Sequence, residues 1–159
     1  MMQNLTKWID SVLRQFLIAL MALLVFTVSW QVFTRFILRD PSSFTEELAR
    51  FLLIWIGLLG AAYALRTKAH LGIDILLQRS VGTQKKVVEV VVYGFIILFA
   101  FFIMIIGGYR LVYITLELNQ LSAAMGIKMG YIYLVLPISG ALMIYYSIIF
   151  IMEALVKKN

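Results

Sequence analysis

The 159-residue sequence holds no cysteine, one histidine, two prolines and only eight acids. Without cysteine there is no disulfide, no cysteine-ligated zinc and no iron–sulfur cluster. One histidine, His70, excludes the ligand pair of a bis-histidine membrane haem. No cofactor, metal or enzymatic activity is therefore expected. The acids are Asp10, Asp40, Glu46, Glu47, Asp74, Glu89, Glu117 and Glu153. All fall in loops or at the ends of apolar runs. A chain that binds its own solute in the membrane needs ionisable groups at mid-depth, or broken helices aimed at the solute. Neither is evident, so no residue is expected to touch a solute.

What is present is apolar. Hydrophobic residues make up 63% of the chain, against about 45–50% for a soluble domain. The sequence reads as a single integral membrane domain over 1–159, all-α, with most of its surface against lipid or other helices. The net charge of +6 does not point to nucleic acid. The bases cluster at the ends of apolar runs, where they orient a membrane chain.

Four spans are expected, at about 16–38, 46–66, 88–110 and 129–152. The second apolar run, from Phe51 to Leu65, gives only about 22 Å of helix. It spans only if the helix starts near Glu46 and ends near Arg66. Asp40 precedes Pro41, which disfavours helix at that point, so the first helix should stop near Arg39. Ser43-Phe44-Thr45-Glu46 fits a capping box with Ser43 as the cap, and the acids suit the positive end of a helix dipole. Pro137 is expected to kink the fourth helix. Nine bases fall on the side of the termini and five on the other, which places both termini in the cytoplasm. The first run lacks a small-residue cleavage site and is long for a signal peptide, so it is read as a retained helix. Before it, Leu5, Trp8, Ile9, Val12, Leu13 and Phe16 follow helical spacing. They predict an amphipathic N-terminal helix on the cytoplasmic surface.

The segment RFILRDPSSFTEELAR, 35–50, carries three arginines and three acids between two apolar runs. Arg50 can reach Glu46 or Glu47 one turn back, and Arg35 and Arg39 can meet the same acids across the hairpin. Such pairs are either weak surface contacts or are sunk in an interface, where losing one partner is costly. Trp30 and Trp55 fall at similar depth, as an interfacial belt or as packing against a partner. Gly57, Gly60, Ala61 and Ala64 give the second helix a small-residue face for close helix approach, within the bundle or with a partner. His70 and Asp74 are four apart, on one helix face. They fit an interfacial hydrogen bond or helix-start contact; a metal site needs more ligands.

These residues resemble a known family. Trp30-x-Val32-Phe33-x-Arg35-Phe36, Pro41, Phe44-Thr45-Glu46-Glu47-Leu48-Ala49-Arg50 and Trp55-x-Gly57-x-x-Gly60-Ala61-Ala62 are similar to the small membrane subunit of tripartite ATP-independent periplasmic (TRAP) transporters. So are Arg66 to His70 with Asp74, Ser122-Ala123-Ala124-Met125-Gly126-Ile127 and the stretch from Tyr133 to Gly140. Two positions depart from the pattern: Phe44 stands for an expected tryptophan and Lys128 for an expected proline. The resemblance implies a non-catalytic scaffold in the bacterial inner membrane. It would brace a large elevator-type membrane subunit in a sodium-coupled transporter of C4-dicarboxylate or sialic acid type. A periplasmic substrate-binding protein would be a transient partner, and membrane lipids would surround the complex. Carried over, Glu46, Glu47 and Arg50 would stabilise the outer end of the second helix. Trp55, Gly57 and Gly60 would lie near the large subunit, and His70 and Asp74 would fix the cytoplasmic return. The competing reading is a stand-alone oligomeric channel or exporter.

Overall fold

The computed structural model describes residues 2–40, 42–69 and 83–156. Four long helices carry the chain. Helix α1 is Met2–Phe33 and closes in a π-helical turn, Thr34–Leu38. Helix α2 is Ser43–Arg66. Helix α3 runs as Thr83–Phe99, a π-helical stretch Ala100–Gly107, and Gly108–Glu117. Helix α4 is Met129–Tyr133 followed by Val135–Val156. Each is long and apolar enough to cross a membrane. Helix α2 packs on α1 and α4, and α4 packs on α3. Helix α1 is mostly exposed along its apolar length.

Several local features differ from the sequence reading. The amphipathic segment does not break from the first span: Met2–Phe33 is one continuous helix. Its apolar stripe divides accordingly. Leu13 is buried, with Ile9 packed beside it, while Trp8 and Val12 stay exposed. The cap of α2 is Ser42, whose Oγ accepts the Thr45 N–H at 3.4 Å. The third helical position is thus Thr45, not Glu46, so there is no Ser–Glu capping box. Thr45 Oγ1 instead donates to the Ser42 carbonyl at 3.0 Å. The first helix stops as expected, with Arg39 at φ 55° closing it.

Helix α4 is interrupted at Leu134. Pro137 supplies no N–H for the carbonyl four residues back, at Tyr133, so the ladder fails one turn before the proline. The π-helical stretch of α3 was not foreseen from the sequence. The tightest helix approaches lie between α3 and α4, at glycines. A Cβ on Gly108 would stand 2.9 Å from Leu136 Cβ, and one on Gly140 2.8 Å from Met104 Cβ.

Lys128 leads into α4 with φ −64° and ψ 121°. That φ is a proline's, and its N–H donates no hydrogen bond among the described residues. Lys128→Pro is therefore expected to stabilise the detergent-solubilised chain by about 0.4–1 kcal/mol, by narrowing the unfolded ensemble. A higher thermal midpoint is the expected reading. A lower one would show that the lysine side chain or N–H matters.

Candidate functional site

The Ser42 cap sets the register of the first turns of α2 and turns Glu47 toward the connection between α3 and α4. That connection is compact. Gln120 N–H donates to the Thr115 carbonyl at 3.0 Å, and Met129 N–H returns to Gln120 at 2.9 Å. Between them, Ser122 N–H donates to the Ile127 carbonyl at 2.8 Å. Gly126 takes φ +66°, a conformation that residues with a Cβ avoid. Ala123, Ala124 and Met125 then present three successive N–H groups in one direction.

Glu47 fills that cradle. Its Oε1 accepts Ala123 N–H at 3.1 Å, and its Oε2 accepts Ala124 and Met125 at 2.8 Å each. Successive backbone N–H groups in a turn form an anion site; here the anion is the chain's own carboxylate. The clasp joins residues 76–78 apart in sequence.

Two further contacts join α2 to α4. Trp55 Nε1 donates to the Ile132 carbonyl at 3.1 Å, just before the helix break, and its ring meets Phe16 edge-on at 6.2 Å. Trp55 is thus tied inside the bundle by its N–H. Trp30 differs: it is exposed and stacks on Phe33 at 5.6 Å. Below Trp55, the fully buried Ser139 donates to the Leu58 carbonyl at 2.7 Å.

The ion pairs among the described residues are Glu46–Arg50 at 3.0 Å and Asp10–Arg66 at 2.9 Å. The first is exposed, its side chains 51% and 68% accessible, and belongs with weak surface pairs. Arg35 and Arg39 form no ion pair among the described residues. The contact that the sequence allows across the hairpin is not made by these two arginines among the described residues, where Glu46 faces Arg50 and Glu47 faces the turn. The second pair is three-quarters buried and links α1 to the end of α2. The Arg66 guanidinium also lies 5.9 Å from the Tyr146 and Phe150 rings of α4.

Among the described residues, a Cβ on Gly57 or Gly60 would have no neighbour within 4 Å outside its own stretch of helix; Gly57 is exposed and Gly60 half-buried. The small-residue face of α2 is open at these two positions. His70 and Asp74 lie outside the described residues, as do Pro41 and the stretch 71–82. Reading the sequence missed the turn at 122–127 as the partner of Glu47. Ser122 and Gly126 signal a turn, but not which distant acid fills it. No group of three or more histidines, cysteines or acids suited to a metal occurs among the described residues.

Comparison with known proteins adds the following. The family model "Tripartite ATP-independent periplasmic transporters, DctQ component" matches residues 24–157. The sialic acid TRAP transporter small permease protein SiaQ of Vibrio cholerae is 38% identical over 72 residues. That match covers 45% of this chain and 42% of the relative, so the chain spans less than half of that protein's length. A putative TRAP transporter small permease protein of Haemophilus influenzae is 26% identical over 142 residues, covering 89% of this chain and 86% of the relative. The isethionate TRAP transporter permease protein DctMQ of Oleidesulfovibrio alaskensis is 29% identical over 144 residues. There the match covers 86% of this chain but 22% of the relative.

Proposed function

The chain belongs to the DctQ component family of tripartite ATP-independent periplasmic transporters, and from that premise we propose that it is the fixed scaffold subunit of such a complex. It braces a large elevator-type membrane subunit and handles no solute itself. The coupling ion is sodium, the solute is a small organic acid of carboxylate type, and a periplasmic binding protein delivers it. Relatives bear the names of sialic acid, C4-dicarboxylate and isethionate transporters, all organic anions. The DctMQ relative is a permease of which this chain matches only a part. That supports a role beside a larger membrane body. Both termini lie in the cytoplasm, by the excess of bases on their side.

The observation that carries the scaffold reading is the open face of α2. Among the described residues nothing stands within 4 Å of where a Cβ on Gly57 or Gly60 would lie, which leaves room for close approach by a foreign helix. Of the described acids, Asp10 lies more than two turns into α1 and is paired with Arg66, and the others lie in connections or within two turns of a helix end, which supports a chain that positions a transporter without carrying its solute. Glu46, Glu47, Arg50 and Trp55 hold the outer half of that face in shape.

Gly57→Leu tests this. The variant chain should melt like wild type by itself, yet recover far less large subunit in co-purification. Equal recovery would remove the α2 face from the interface. Uptake in proteoliposomes should need this chain, the large subunit, the binding protein and a sodium gradient. Solute movement by this chain alone would overturn the scaffold reading in favour of a channel or exporter.

A further inference from the structure

Apart from the Asp10–Arg66 pair, one face of α1 is used by nothing described so far. Near its N-terminus, Lys7, Asp10, Ser11 and Arg14 line a pocket of about 170 Å³ with Tyr63 of α2. Asp10 Oδ2 accepts the Arg66 Nε–H at 2.9 Å, so its charge is already paired with Arg66. Lys7 and Arg14 are exposed and have no ion pair among the described residues. The pocket therefore offers two unmatched positive charges beside the Ser11 and Tyr63 hydroxyls.

The same helix face continues as an open apolar groove lined by Ile18, Met21, Ala22, Val25, Phe26 and Ser29. The sequence steps from Lys7 through Ser11, Arg14, Ile18, Met21, Val25 and Ser29 advance by three or four residues each, so they form one stripe. From Ile18 to Ser29 the groove is about 16 Å long. One leaflet of a bilayer has about 15 Å of hydrocarbon. Arg14 lies one turn short of the groove, at the depth of a headgroup.

We propose that this stripe binds an anionic phospholipid of the leaflet on the side of the N-terminus, its phosphate between Lys7 and Arg14 and an acyl chain along Ile18–Ser29. A foreign helix laid on the stripe would fill the groove, but it would leave two cations unmatched unless it carried acids at their level. A phospholipid satisfies both parts with one molecule. Juxtamembrane bases attract anionic headgroups, each worth about fivefold in binding near the surface.

The test uses the full chain in detergent, titrated with dioleoyl-phosphatidylglycerol and followed by native mass spectrometry. Wild type should retain the lipid. The double variant Lys7→Ala/Arg14→Ala should weaken retention by about thirtyfold, and Ala22→Trp, which fills the groove, should also weaken it. Lys85→Ala/Lys86→Ala removes two bases elsewhere and should change little. Equal retention by the Lys7/Arg14 variant would overturn the site, as would equal loss from the Lys85/Lys86 variant. Competition by glycerol phosphate would reassign the pocket to a soluble anion and overturn the lipid. Loss of the large subunit in co-purification, with lipid retention unchanged, would make the stripe a protein interface instead.

Discussion

Gly140→Ala is expected to loosen the contact between α3 and α4 and to lower the stability of the isolated chain by about 1–3 kcal/mol, the usual range for overpacking. The new Cβ would stand 2.8 Å from Met104 Cβ and 3.2 Å from the Ala100 carbonyl oxygen. Neither is the free end of a flexible side chain, so the two helices must move apart. Alanine's better helix propensity, about 0.5–1 kcal/mol over glycine, offsets only part of this. Gly57→Ala is the control. With nothing within 4 Å of its Cβ, it should be neutral or slightly stabilising. Thermal unfolding of both variants in one detergent checks the pair. Equal midpoints would mean that α3 and α4 are not locked at Gly140.

Glu47→Ala is expected to release the 122–127 turn. Three N–H groups lose their acceptor together, and among the described residues no other carboxylate accepts from them. Amide exchange at Ala123, Ala124 and Met125 should rise to that of an open loop, read by hydrogen exchange with mass spectrometry. Glu47→Gln should fall between, because one of its two positions is now an NH₂ that cannot accept. Arg50→Ala should leave exchange there unchanged, since Arg50 pairs with Glu46 on the exposed side. Unchanged protection in Glu47→Ala would show that the turn holds its shape without the carboxylate.

The contrast between these residues shows what a sequence discloses. An all-α chain with four long apolar helices was legible, and four are present among the described residues, because apolar length is a local property that one chain displays directly. The need for α2 to begin before its apolar run followed from length alone, and Ser43–Arg66 is what the fold contains. Glu47 and Glu46 look alike in sequence, yet one clasps a distant turn and the other lies in a weak exposed pair. That difference depends on which helices pack together, information that no local pattern holds. The glycines divide the same way. Gly57 and Gly60 attracted notice by spacing and are open, whereas Gly108, Gly130 and Gly140 carry the close approaches. Trp55 is tied through its N–H to a carbonyl beside the Pro137 break. Only the pairing of α2 with α4 makes that visible.

The clasp has a consequence for biosynthesis. Chains emerge from the ribosome N-terminus first, at about 5–20 residues per second. The acceptor Glu47 thus enters the membrane well before its donors, which follow 76–78 residues later, a delay of about 4–15 s. Through that interval the N-terminal end of α2 carries a carboxylate without these three donors. It gains its hydrogen bonds only when α3 has been made and the chain has turned back toward α4. Closure of this contact is therefore a late event, and its formation reports that all the preceding crossings have been made in order.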